Sequence, residues 1–133
     1  MTVFEIAQHT ADIRIHIRAA SVEELFADSI RALMHAMEPE GRGASTAVIL
    51  EVDSPDVTAL LVDLLNELLL RCHTERVMFE PVTIALRDGL VIAKLTSVGV
   101  DGFDDDVKAV TYHEADVRQL EDGSWVTALV LDV

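Results

Sequence analysis

The chain has 133 residues, enough for one ordinary domain with a single sizeable core, and half of them are hydrophobic. Ten basic against twenty-four acidic residues leave a formal charge of −14, a field that repels a phosphate backbone and argues against a generic nucleic-acid binder. The apolar run at residues 68–70 is hemmed in by Asp63, Asn66, Glu67 and Arg71, far short of the roughly 20 apolar residues of a membrane span, and Cys72, the only cysteine, excludes an internal disulfide. Residues 1–20 show no basic start followed by an apolar block, so no signal peptide is visible and a soluble, cytoplasmic protein is expected.

The first element is announced by QHTADIRIHI, where Ile13, Ile15 and Ile17 alternate with Arg14, His16 and Arg18, the period of a strand with one buried face. Ser21 and Glu24 then form a capping box, and Val22, Leu25, Phe26, Ser29, Leu33 and Met37 recur on one helical stripe that should end near Pro39 and Gly41. AVILEV at residues 47–52 predicts a second strand. Ser54 and Pro55 follow as an N-cap and a proline at the first helical position. The next helix carries Leu60, Leu61, Leu64, Leu65, Leu68 and Leu69, a wide apolar face that a sheet must cover, and places Cys72 near its end as a small core residue.

Val82, Ile84 and Leu86 lead through Asp88-Gly89 into Leu90, Ile92 and Lys94, a hairpin whose turn residues tolerate the positive φ angles of a type I′ turn. The same device is expected at Asp122-Gly123, between KAVTYHEADVRQL and SWVTALVLDV. The order β, α, β, α and then two hairpins predicts one α+β domain, residues 1–133, with both helices on one face of a mainly antiparallel or mixed sheet.

Few residues stand out chemically. Asp12 opens the first strand and reads either as a turn residue or as a site carboxylate. Asp132 interrupts the apolar VTALVLDV, where a carboxylate needs a cation, a metal or solvent. Lys108 follows Asp104, Asp105 and Asp106, which lack the spacing of an EF-hand and read as a solvated loop balanced by the lysine. His9, His16, His35, His73 and His113 form no zinc motif, although a composite of His9, His113 and Asp12 stays open. Glycine-rich nucleotide loops and a nucleophile elbow are missing from the sequence, so the residues by themselves allow a hard-cation site of carboxylates and say little more.

Three separated segments, HTADI, VKAVTYH and the final LDV preceded by a DG turn and a tryptophan, together with the helical LVDLLNELL, resemble the archease family over essentially the whole chain. That resemblance implies an α+β fold and a role as protein cofactor of a GTP-dependent RNA ligase, which joins 3′-phosphate or 2′,3′-cyclic phosphate ends in tRNA splicing and RNA repair. The family member promotes GMP transfer onto the ligase's histidine and is not itself the enzyme. The family's metal-binding aspartates match Asp12 and Asp132, and its functional lysine matches Lys108, which would act in trans. His9, Tyr112 and His113 are neighbours in the same motifs. Arg14 stands where many members carry a small residue, and GVDGFDDD is a shorter loop than usual. The expected ion is Ca²⁺, Mg²⁺ or Mn²⁺, all of which prefer oxygen ligands, with the α-carboxylate of Val133 as third donor beside Asp12 and Asp132. No other cofactor, no stable nucleic-acid contact and no membrane contact are expected. Rival expectations are a stand-alone metal-dependent phosphohydrolase and a chaperone-like binding module that would need neither aspartate nor lysine.

Overall fold

Alternation at residues 12–18 does build a strand, β1 (Asp12–Ala19), the first element in a computed structural model that describes residues 12–133. Helix α1 (Val22–Met37) starts at Ser21, whose Oγ accepts the Glu24 N–H at 3.1 Å, and it buries Leu25, Phe26, Ser29, Ile30, Leu33, Met34 and Met37. The buried Ser29 hydroxyl donates back to the Leu25 carbonyl at 2.7 Å, so no polar group is stranded in that face. Glu38 ends the helix in the left-handed region, φ 49°, directly before Pro39.

After the two-residue strand β2 (Pro39–Glu40) and β3 (Ser45–Asp53) comes α2 (Val57–Glu75). Its cap is two residues later than the sequence suggested. Asp56, not Ser54, accepts the Ala59 N–H, at 3.2 Å, so Pro55 precedes the cap and does not open the helix. Ser54 is engaged elsewhere: its N–H donates to the Gly89 carbonyl at 2.9 Å, tying the end of β3 to the following hairpin. That hairpin, β4 (Val77–Arg87) and β5 (Leu90–Gly99), turns through Asp88 at φ 48° and Gly89 at φ 79°, the expected type I′ geometry.

The last third departs more from expectation. The segment KAVTYHEADVRQL is not one strand but β7 (Ala109–Thr111) and β8 (Arg118–Gln119), after the short β6 (Gly102–Phe103). Glu114 takes a left-handed φ of 61° between them, and side-chain hydroxyls of Thr127 and Thr58 accept the Asp116 and Val117 N–H groups that a ladder would have used. The second hairpin turn also differs. Only Gly123 has positive φ; its N–H donates to Leu120 O and Leu120 N–H donates to Ser124 O, a three-residue loop with glycine in the left-handed position before β9 (Trp125–Asp132).

Every strand pair among the described residues is antiparallel, but the strands do not share one sheet. β1, β9 and β7 run in that order with β8 also on β9; β3, β5 and β4 form a second sheet; β2 and β6 form a small ladder. Helix α1 lies against β1, β9 and β4, and α2 against β3, β4 and β7, so the helices join the two larger sheets through one core. Leu61, Leu64, Leu65 and Leu68 are fully buried there, each contributing about 2 kcal/mol of transfer free energy. In the first sheet the pleat puts Ile13, Ile15 and Ile17 toward that core with Leu131, Leu129 and Thr127, which leaves Asp12, Arg14, His16 and Arg18 on the other face.

Candidate functional site

The register of β1 with β9 brings the ends of the described chain together: Asp12 is the cross-strand partner of Asp132. Partners in an antiparallel pair share a face with Cβ atoms about 5 Å apart, and both aspartates are exposed. On the other side of β9, Ala109 is the register partner of Asp132, and the Lys108 N–H also donates to the Asp132 carbonyl at 2.7 Å. Two consecutive residues thus oppose one, as in a β-bulge, and the exposed Lys108 is delivered to the strand end that holds the carboxylates. Val133 follows at once, its side chain packed partly against the core. Asp12, Lys108, Asp132 and Val133, far apart in sequence, meet at one end of one sheet.

The donors are carboxylate oxygens on a wet surface, a set that suits a hard divalent ion and not zinc. Among the described residues no group of three or more His, Cys, Asp or Glu side chains is placed to hold a metal ion. His9 lies outside the described residues, which removes one member of the His9, His113 and Asp12 composite from view. Arg14 has a carboxylate of its own: its guanidinium pairs with Glu114, which also lies 3.6 Å from His113 Nε2. Tyr112, exposed, donates its hydroxyl to Asp63 on α2, and that hydrogen bond raises the phenol above its ordinary pKa.

A feature not anticipated from sequence is the polar edge of α2. Asn66 Nδ2 donates to Val110 O and Asn66 Oδ1 accepts the Val110 N–H, each at 2.8 Å. His73 Nε2 lies 2.9 Å from Val107 O, so it carries the proton and donates, and Thr58 accepts from Val117. The available signal was the presence of Asp63, Asn66 and His73 on a helix otherwise made of leucine; the partners could not be named, because they are main-chain groups.

The acidic loop behaves differently from a plain solvated run. Beside the β2–β6 ladder, hydrogen bonding to and like-charge repulsion from Asp105 raise Glu38 above its ordinary pKa, and those from Asp104 raise Glu40. Among the described residues no ion pair joins Lys108 to Asp104, Asp105 or Asp106. Cys72 is buried with Sγ 3.9 Å from Met34 Sδ, and burial pushes its thiol up to about 12, in keeping with a core residue.

Comparison with known proteins came down on one family. The model of the archease protein family matches residues 4–133. The chain is 32% identical over 143 aligned positions to a protein archease of Pyrococcus furiosus, covering all of both chains. It is 28% identical to one of Methanosarcina acetivorans, covering 98% of this chain and 95% of that one. Its fold is similar to a Thermotoga maritima crystal structure named an archease and "possible chaperone", with TM-score 0.69, 22% identity and coverage of 94% and 93%. A solution structure of a Methanobacterium thermoautotrophicum protein gives TM-score 0.67 at 27% identity, covering 92% and 93%. No helix among the described residues is long and apolar enough to cross a membrane.

Proposed function

The chain belongs to the archease family, and on that premise we propose that it activates a GTP-dependent RNA ligase for 3′-phosphate and 2′,3′-cyclic phosphate ends, by promoting guanylylation of the ligase. The observation that carries this is the register pairing of Asp12 with Asp132, beside a Lys108 whose N–H is bonded to Asp132 O. Two carboxylates and a lysine on an exposed sheet end form a device for phosphate chemistry that faces outward, toward a partner. Asp12, Asp132 and the main-chain carboxyl of Val133 would hold a divalent ion, which supplies charge neutralisation at phosphate oxygens when bound. Lys108 offers a compact cation with three donors for those oxygens. The net charge of −14 keeps the protein off free RNA, so its RNA specificity is that of the ligase. The setting would be tRNA splicing and RNA repair in the cytoplasm.

The test is labelling of the cognate ligase with radiolabelled GTP, with and without substoichiometric amounts of this protein. Labelling and multiple-turnover ligation should rise with the native chain and should stay near the ligase-alone level with Lys108→Ala, which leaves no buried contact unfilled because Lys108 is exposed. Unchanged turnover with the native chain refutes the ligase role. Release of phosphate from simple esters by the protein alone would favour the phosphohydrolase. Full stimulation by Lys108→Ala, Asp12→Ala and Asp132→Ala together would favour a chaperone-like module, the role that the name of the Thermotoga relative suggests.

A further inference from the structure

The strand that follows Lys108 is very short. β7 has only three residues, pairs with β9 on one side and, among the described residues, has no second strand beside it. A three-residue edge strand following an exposed acidic loop has little of its own to fix it. Its other edge is nevertheless occupied: the side-chain amide of Asn66 pairs with both the N–H and the C=O of Val110, which is what a neighbouring strand would do. Three residues earlier, His73 donates to the carbonyl of Val107. Seven residues along a helix advance about 10.5 Å, and three along a strand advance about 10 Å. The two anchors on α2 and their two targets on the chain are therefore matched in length, with Lys108 between them and its own N–H held by Asp132. Val107 and Val110 are buried, so the apolar side chains and the polar main chain are fixed at the same two points.

We propose that Asn66 and His73 are positioning residues: α2 acts as a rigid surrogate strand that clamps the backbone on both sides of Lys108 and sets the lysine against the Asp12–Asp132 pair. The importance of Lys108 rests on the ligase role, but the clamp itself does not. Asn66 contributes the larger part, because it satisfies both the N–H and the C=O of the buried Val110. His73 contributes one bond, from an exposed ring.

Site-resolved amide exchange by NMR, on the full chain, tests this without any partner. Asn66→Ala should speed exchange at the Lys108 and Val110 amides about tenfold or more, the value of one to two lost hydrogen bonds. Exchange in α1, at Ile30 and Leu33, should change less than about twofold if the opening is local. Asn66→Asp still accepts from the Val110 N–H but cannot donate to its carbonyl, and should fall between; it also serves if Asn66→Ala fails to fold. His73→Gln, whose amide can donate to Val107, should behave as the native chain, whereas His73→Ala loosens the Lys108 end. With the ligase, Asn66→Ala should lower maximal stimulation and leave the half-saturating concentration unchanged. Unaltered exchange at Lys108, or an increase spread evenly through the core, overturns the clamp. A loosened segment with full stimulation overturns the positioning role. If the native chain itself gives no stimulation, the ligase role falls, and the exchange pattern still decides the clamp.

Discussion

Replacing Asp132 by asparagine should make the metal-free protein slightly more stable and the metal-loaded protein much less so. Asp12 and Asp132 face each other across β1 and β9, with Cβ atoms about 5 Å apart by the geometry of an antiparallel pair. Two unit charges at that separation repel by about 0.8 kcal/mol in a water-like medium, the setting that suits exposed side chains. Asparagine removes the repulsion and keeps the shape. A chain of 133 residues unfolds with an entropy of roughly 0.28 kcal/mol/K, so in a chelator Asp132→Asn should melt about 2–3 °C higher than the native chain. A divalent ion at a hundredfold excess over its Kd stabilises the native fold by about 2.7 kcal/mol, and hence raises Tm by about 10 °C. The variant should show almost none of that rise. The order of the two melting curves therefore inverts between chelator and metal, and Asp12→Asn should do the same. Thermal melts followed by circular dichroism in EDTA and in Ca²⁺, Mg²⁺ or Mn²⁺ read both halves. Two residues added after Val133 should lower the metal response alone, because an amide replaces a charged donor while the aspartates remain. A variant that melts below the native chain in EDTA, or one that keeps the full metal response, refutes the paired-carboxylate site.

Two further expectations concern parts of the molecule away from that pair. Glu38 and Glu40 titrate above their ordinary value in the folded chain because of Asp105 and Asp104, so the fold binds their protons more tightly than the unfolded chain does. Their effect on stability is therefore most favourable at acid pH and is lost as pH rises through the raised folded values. Asp122, lowered by its bonds from Ser124, acts in the opposite sense and loses its contribution as pH falls. Tm should rise on moving from neutral to mildly acid pH before general acid unfolding sets in, and the double variant Glu38→Gln, Glu40→Gln should flatten that rise; an identical pH profile in both chains contradicts it. Cys72, with its thiol pushed up to about 12 by burial, should react with thiol reagents at pH 8 only through global unfolding. Labelling of the native chain at the rate of a free thiol is the contrary result.

The elements with strong local signals were legible from the residues alone. The isoleucine alternation of β1, the Ser21 cap and buried stripe of α1, the leucine face of α2 and the Asp88-Gly89 turn all took their expected form, because each depends on residues within one or two turns of one another. Membership of one α+β family was legible too, through the order of HTADI, VKAVTYH and LDV. Errors arose where long-range contacts outbid a local preference. Ser54 offered a cap but is tied to the β4–β5 turn, its N–H donating to Gly89 O, and Asp56, two residues on, caps the helix. KAVTYHEADVRQL alternates like one strand, yet Thr58 and Thr127 draw off its main-chain donors and Glu114 turns it. The single expected sheet is instead two larger sheets and a small ladder, which the two helices join through one core. The candidate site divides in the same way. Asp12, Lys108 and Asp132 could be picked out one by one, but only the β1–β9 register makes the aspartates partners, and only the bond to Asp132 brings Lys108 to them. Asn66 was visible as a polar residue on the leucine helix, but its role was not. A side chain that hydrogen-bonds to main chain has a partner without residue identity, so nothing in the sequence can name it; tertiary structure alone decides which peptide the amide meets.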